Sequence, residues 1–325
     1  MGGNHNGVMT DDLALAASIG GATRLDDWGL IRASGPDARS FLHSQLTQDI
    51  THLQAGQACL AGYCSAKGRL LATFIVWPAG AEDFLLACSA DLLPTTLKRL
   101  SMFVLRAKCK LVDASAELAL WGLAGPPASG CVGEAASAKP WTAVDVADGQ
   151  AISLPAASVD GASVPRALLV LRATTPPPSV PVLAAELRRG LEVRSGVGRV
   201  VAATVEQFVP QMLNLELVGG VSFSKGCYPG QEVVARSQYR GTLKRRAFVV
   251  EGGPAMAPGL EVFHSADPEQ PAGMVALSGS LGAHRQQALV ELKIAATGDG
   301  ELHAGSPQGP LLTLRDLPYA FPAHA

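Results

Sequence analysis

Aromatic residues make up only 5% of this 325-residue chain and charged residues 17%, and no apolar stretch approaches the ~20 residues of a membrane-spanning helix. Four catalytic signatures are missing: the Walker A loop, the G-x-S-x-G elbow, the H-E-x-x-H helix and the G-x-G-x-x-G fingerprint. Gly196-Val197-Gly198 is too short to stand for the last. Six cysteines, at 59, 64, 88, 109, 131 and 227, contain no C-x-x-C pair and have no histidines at zinc-ligand spacing. They read as reduced thiols in a cytosol. The formal net charge of -2 gives no global attraction for nucleic acid or anionic lipid, so any such binding needs a local patch. The first thirty residues carry Asp11, Asp12, Asp26 and Asp27 and no signal-peptide core, which makes the cytoplasm the expected location. Met1-Gly2 lacks the second signal that a stable myristoyl anchor requires.

The chain does have length and apolar content. At 48% hydrophobic it is globular, and it exceeds what one core usually supports, so two or three packed domains are expected. Residues 35–50 read as a helix, with Ser34 as cap, Pro36 in the first turn, and Ala38, Phe41, Leu42 and Leu46 on one face. Ala58–Tyr63 and Leu70–Trp77 flank Ser65-Ala66-Lys67-Gly68-Arg69 and read as a hairpin. A strand at Phe84–Cys88 precedes a helix from about Asp91 to Leu105. Strand-like runs recur at Trp121, Val144–Val146 and Ala167–Leu171, followed by a Pro-rich loop and a helix at 178–187. The order of strand, Pro-containing connection and helix thus occurs near 84–105 and again near 167–190. Glu134–Lys139 reads as an exposed loop. Beyond Lys244 helical periodicity gives way to short strands near 246–251, 259–263, 272–278, 287–294 and 311–315, the texture of an antiparallel barrel or sandwich.

One segment does not read as core. From Phe223 to Lys244 the chain is FSKGCYPGQEVVARSQYRGTLK. Lys225 lies two residues before Cys227, and a short helix over Gly230–Ser237 would begin close to the sulfur; a cation and a helix N-terminus both favour a thiolate. Gly226 and Gly230 allow positive φ or close backbone approach, and Pro229 stiffens the turn. Gln231 and Glu232 read as structural, orienting the loop by accepting from its exposed N–H groups. Arg236, Arg240, Lys244, Arg245 and Arg246 form the densest basic cluster, read mainly as a solvated face. The seven histidines, His43 and His52 among them, read as surface or satisfied core residues.

Lys225-Gly226-Cys227-Tyr228, Gly230, Gln231 and Glu232 match without a gap the K-G-C-[YF]-x-G-Q-E signature of the YgfZ family, and the chain resembles that family along nearly its whole length. Echoes lie in Leu25-Asp26-Asp27-Trp28, Leu46-Thr47-Gln48-Asp49-Ile50 and Tyr63–Arg69. The resemblance implies an α+β fold. Two α/β folate-binding subdomains like those of the glycine cleavage T-protein would cover about 1–115 and 116–243, with a C-terminal antiparallel β-barrel over 244–325. It implies tetrahydrofolate or another folate as cofactor and iron–sulfur client or assembly proteins as partners, including enzymes that thiolate tRNA. Membrane and strong nucleic-acid partners are not expected. Trp28 would stack on the folate rings, Tyr228, Gln231 and Glu232 would border the site, and Arg236 or Arg240 would hold the glutamate tail.

Two departures qualify the likeness. Where the T-protein hairpin carries its catalytic aspartate in G-x-x-D-D, this chain has Ala72-Thr73, which argues against aminomethyl transfer. Where the T-protein has a pterin-pairing glutamate, Leu191-Glu192-Val193-Arg194 presents Arg194, a donor with no acceptor; Glu192 could substitute from its neighbouring position. Enzymatic activity is therefore left open. Cys227 could attack, ligate or exchange with a sulfur or iron species. The rival readings are a folate-dependent one-carbon transferase using Cys227, and an RNA- or protein-binding adaptor using residues 236–246.

Overall fold

The computed structural model describes residues 16, 18–133, 139–239, 243–254, 256–282 and 285–322. Sixteen strands are named in chain order: β1 (Gly21–Arg24), β2 (Trp28–Ser34), β3 (Cys59–Cys64), β4 (Leu70–Pro78), β5 (Asp83–Ser89), β6 (Lys110–Asp113), β7 (Leu118–Ala124), β8 (Ala143–Val146), β9 (Gly149–Val159), β10 (Ala162–Arg172), β11 (Arg245–Glu251), β12 (Glu261–His264), β13 (Asp267–Ser280), β14 (Gln286–Lys293), β15 (Leu302–Ala304) and β16 (Leu311–Arg315). Five α-helices accompany them among the described residues: α1 (Ala38–Gln45), α2 (Leu93–Val104), α3 (Pro126–Val132), α4 (Ala185–Arg194) and α5 (Gln231–Tyr239).

The strands form two five-stranded antiparallel sheets, ordered β1-β7-β10-β9-β8 and β3-β4-β5-β2-β6, and a closed barrel, β11-β14-β13-β12-β15-β16. This is the expected α+β architecture with a C-terminal antiparallel barrel. The two sheets do not divide at residue 115, because β1 pairs with β7 and carries the start of the chain into the later sheet. Among the described residues no helix is long and apolar enough to cross a membrane.

Side-chain alternation shows how the sheets stack. In β4, Ile75 and Trp77 meet Leu120, Ile152 and Leu168 of the opposite sheet, while Phe74 and Val76 point the other way onto α1 and α2. In β10, Leu168 and Val170 face the partner sheet and Leu169 and Leu171 face α3. Strands buried on both faces need continuous apolar runs, which is what Leu70–Trp77 and Ala167–Leu171 supply. Helix α1 begins at Ala38 after Asp37, not at Ser34, and Asp37 spends its side chain on the Lys108 N–H, 2.7 Å away.

Helix α4 joins the sheets to the barrel. Val193 packs among Ala247, Val249, Leu277 and Leu289 of the barrel. A Cβ at Gly190 would lie 2.4 Å from the Ser280 carbonyl oxygen, so the contact requires glycine. Arg188 and Glu192, one turn apart, point instead between the sheets.

Candidate functional site

A small cavity of about 40 Å³ lies between the sheets, and its walls include Trp28 from β2, Phe74 and Ile75 from β4, Leu154 from β9 and Glu192 from α4. Arg166 also reaches it, projected from a β-bulge between Val164 and Arg166 in the β9–β10 ladder. At its edge two carboxylates and two guanidinium groups form one network. Arg188 donates to both Asp27 oxygens at 2.8 and 2.7 Å and to Glu192 at 2.6 Å. Arg199 donates to Glu192 at 2.9 Å, to Asp27 at 3.0 Å and to the Ser89 hydroxyl at 3.1 Å. The Arg199 guanidinium also lies 4.6 Å over the Trp28 ring, a cation–π contact in a dry setting.

Burial pushes the Asp27 and Glu192 carboxyls up, but the two guanidinium groups outweigh it and hold both below the usual carboxylate range. Arg166 is pushed down to about 10 by burial; its Nη1 donates to the Pro155 carbonyl, 3.2 Å away. Two carboxylates against three guanidinium groups leave the cavity surroundings with an excess of positive charge.

Trp28 lines the cavity. Its indole Nε1 is buried with no hydrogen-bond partner, an orphaned donor in the cavity wall. Arg194 is not at the cavity: its Nε donates to the Ser158 carbonyl at 2.5 Å, and Glu192 takes the inward position. The reason is the local period. Residues 185–194 are helical, so Arg194 is rotated ~200° from Glu192 and the two side chains leave on opposite sides, where a strand would have put both on one face. Of Ala72-Thr73, where the resemblance looks for the aspartate, Thr73 lines the cavity, and its Oγ1 accepts the Val200 N–H at 3.1 Å.

The chemistry of the cavity fits a flat, hydrogen-bonding heterocycle such as a pterin: an orphan indole donor, a carboxylate, a guanidinium and apolar walls. Its present volume suits only water, since one water needs ~10–15 Å³ and small-ligand pockets span ~300–1,000 Å³. Trp141 stands between this cavity and an outer groove of about 790 Å³ that it also lines. Its backbone is held at φ +66°, a conformation bulky residues rarely adopt, and its indole donates to the Val218 carbonyl at 3.2 Å.

Cys227 lies elsewhere, on the loop before α5, and is the one exposed thiol of the six. Burial raises Cys59, Cys64 and Cys88 to about 12 and Cys109 to about 11, and it raises Cys131 as well. The loop is fixed on the tip of the β3–β4 hairpin. A Cβ at Gly230 (φ +80°) would stand 2.4 Å from the Ser65 carbonyl oxygen and 2.7 Å from Gly68, so only glycine permits this seat. Thr73 is five residues farther along β4 than Gly68, ~16 Å at strand rise, and Cys227 is not among the cavity's lining residues. The thiol and the cavity are separate places, contrary to the expectation of one site that also bordered Tyr228, Gln231 and Glu232.

Each neighbour of the thiol has a definite task. Lys225 is buried, and its ammonium donates to the carbonyls of His43 and, at 2.6 Å, Leu46 at the C-terminal end of α1. Those bonds tie the ammonium to the helix end; burial lowers it to about 8, and the charges of Asp49 and Cys227 partly offset this. Tyr228 is buried beneath that ammonium, its ring centroid 5.0 Å away. Gln231 donates its amide to the Lys225 carbonyl at 3.5 Å, as donor where an acceptor was expected, and Glu232 faces solvent paired with Arg236 at 3.0 Å.

The basic cluster does not form one patch. Arg246 is 2% exposed and joined to Glu216 at 2.6 Å, and Arg245 is joined to Glu291 at 2.8 Å. Only Lys244 is both exposed and outside these pairs among the described members; Arg240 lies outside the described residues. Arg199, Arg188, Arg166 and Trp141 escaped the sequence reading. Arg188 and Glu192 at i and i+4 on a helix gave a usable signal, whereas nothing local marked Arg199 or Arg166.

Comparison with known proteins agrees with this geometry. The GCVT N-terminal domain family matches residues 21–157. The crystal structure of glycine cleavage system aminomethyltransferase T from Bartonella henselae shares the fold, with a TM-score of 0.71, 15% identity, and coverage of 95% of this chain and 89% of that one. A protein of Photorhabdus laumondii subsp. laumondii named tRNA-modifying protein YgfZ is 32% identical over 312 residues, covering 91% of each chain. Its namesake in Edwardsiella ictaluri is 34% identical over 249 residues, 72% of each. With the K-G-C-Y-x-G-Q-E loop in place at residues 225–232, the chain belongs to the YgfZ family.

Proposed function

We propose that this chain is a cytoplasmic, tetrahydrofolate-binding accessory factor that maintains, assembles or repairs iron–sulfur clusters in client enzymes, tRNA-modifying enzymes among them. The observation that carries the reading is the division of labour in the fold. One exposed thiol sits on a fixed loop, and the cavity that would hold folate is lined by Thr73, which carries no carboxylate. The name shared by the relatives, tRNA-modifying protein YgfZ, supports the link to tRNA. Trp28, Glu192 and Arg166 would hold the pterin, the first through its free indole donor. A bound reduced folate supplies a one-carbon carrier.

A one-carbon transferase is supported less, because the Thr73 hydroxyl is engaged by a backbone N–H and carries no charge. An RNA adaptor built on residues 236–246 is also supported less, since Arg236, Arg245 and Arg246 are matched by carboxylates.

Two measurements test the proposal. Cys227→Ala should fold normally and fail to restore cluster-enzyme activity in cells deprived of their own homologue; full complementation would remove the thiol from the function. Tetrahydrofolate should quench tryptophan fluorescence of the wild type, with a weaker response in Trp28→Phe. Absence of binding to the wild type would remove folate, and consumption of a one-carbon donor by the purified protein would favour the transferase.

A further inference from the structure

His43, in the last turn of α1, lies beside the thiol loop. A Cβ at Gly226 would stand 3.6 Å from the imidazole Nε2, and Cys227 is the next residue, ~3.8 Å farther from Cα to Cα. The other ring nitrogen, Nδ1, lies 3.1 Å from Asp49 Oδ1. That contact is out of line for a full hydrogen bond, and the Asp49 charge beside Nδ1 favours the imidazolium form of the ring. Asp49 is itself fixed: Oδ1 accepts the Thr51 N–H at 2.8 Å and the His52 N–H at 3.3 Å, and Oδ2 meets His52 Nδ1 at 2.7 Å.

The titratable groups facing His43 are Lys225 from the loop and Asp49 and His52 from the segment after α1. Burial, then the Lys225 ammonium, lowers the His43 pKa below its ordinary 6.5, and Asp49 only partly offsets this. Near neutral pH the ring is therefore uncharged, with a lone pair available. The Lys225 ammonium, bonded to the His43 carbonyl, ties the loop to the same turn of helix.

We propose that His43, beside the Asp49 carboxylate, is the proton acceptor for Cys227, so that loop and helix together form a Cys–His–Asp nucleophilic site for electrophilic sulfur. This rests on the reading of Cys227 as a reactive thiol and extends it to the base that activates it. When the thiol meets a disulfide, its proton passes to His43 Nε2. The Cys227 sulfur forms the new S–S bond as the old one breaks, and the departing thiolate takes the proton back from the imidazolium. No outside oxidant or reductant enters.

Iodoacetamide labelling of the full chain from pH 5.5 to 9.5, read by intact mass and peptide mapping, tests this. The probe forms an S–C bond with loss of iodide, and the five remaining thiols are shielded by burial or raised pKa. Wild-type Cys227 should react faster than a free model thiol at pH 7. His43→Gln should slow it about tenfold or more and shift the rate profile to higher pH, with Asp49→Asn intermediate. Gly226→Val guards against misfolding of the His43 variant: it keeps His43 and Asp49, inserts bulk toward Nε2 without a positive-φ penalty, and should slow labelling likewise. Unchanged labelling in folded His43→Gln and Gly226→Val would overturn the role of His43 while leaving a reactive thiol. Wild-type labelling at the rate and pH dependence of a free thiol would overturn the reactive thiol itself.

Discussion

Replacing Glu192 with glutamine should unfold the centre of this molecule more readily than any other single change of equal size in the cavity wall. The carboxylate is almost wholly buried and accepts from Arg188 at 2.6 Å and from Arg199 at 2.9 Å. Glutamine keeps the shape and one acceptor oxygen but removes the charge, leaving Asp27 to face Arg188, Arg199 and Arg166. Breaking a buried pair by removing one partner costs about 3–5 kcal/mol, and the retained acceptor puts Glu192→Gln near the lower end. At ~2–4 °C per kcal/mol for a unit of this size, the melting temperature should fall by roughly 6–12 °C. Differential scanning calorimetry and urea titration are the assays, with Asp27→Asn, whose side chain is 28% exposed, as the milder comparison.

Acid sharpens the test. Both carboxyls are depressed in the folded protein, so their contribution is complete above the unfolded carboxylate range, ~4, and is lost as pH falls through the folded values. The Glu192→Gln protein should therefore lose less stability between pH 5 and 3 than the wild type. A variant as stable as wild type at pH 7, with an unchanged acid slope, would show that the network contributes nothing net and refute the reasoning.

Other outcomes follow from the same geometry. Gly230→Ala should misplace the thiol loop, since the new methyl meets the Ser65 carbonyl on a positive-φ backbone; a loss of at least ~1–2 kcal/mol and altered Cys227 labelling are expected, and a fully stable variant would contradict the seat described. Trp141→Ala should open the cavity to the outer groove and speed tetrahydrofolate association in stopped-flow fluorescence; slower association would show that Trp141 forms part of the binding surface instead of a barrier. Lys225→Met tests the buried ammonium. Its folded value of about 8 lies below the unfolded ~10.4, so the folded state holds fewer protons in that interval, and wild-type stability relative to the variant should rise with pH across it. A flat difference from pH 7 to 10 would place the ammonium in solvent.

Much of the outline could be read locally. The β3–β4 hairpin, the α2 helix, the buried run of β10 and the strand texture after Lys244 are all short-range patterns, as is the K-G-C-Y loop with its exposed cysteine. Strands β1, β2, β6, β9 and β15 were missed, β9 because Gly149–Val159 contains Pro155 and lacks clean alternation, β15 because three residues carry no period.

What sequence alone determined was composition of elements: a glycine-fixed loop bearing one unusual thiol, runs apolar enough for strands buried on both faces, and an Ala72-Thr73 pair that carries no acid. Only the tertiary structure decided which distant groups meet. Asp27 and Arg199 are brought together by the stacking of sheets against α4, Glu192 turns inward because its segment winds as a helix, and His43 reaches the thiol loop because Lys225 ties that loop to the end of α1. Such pairings depend on through-space distances between segments more than a hundred residues apart, which no local pattern of residues encodes.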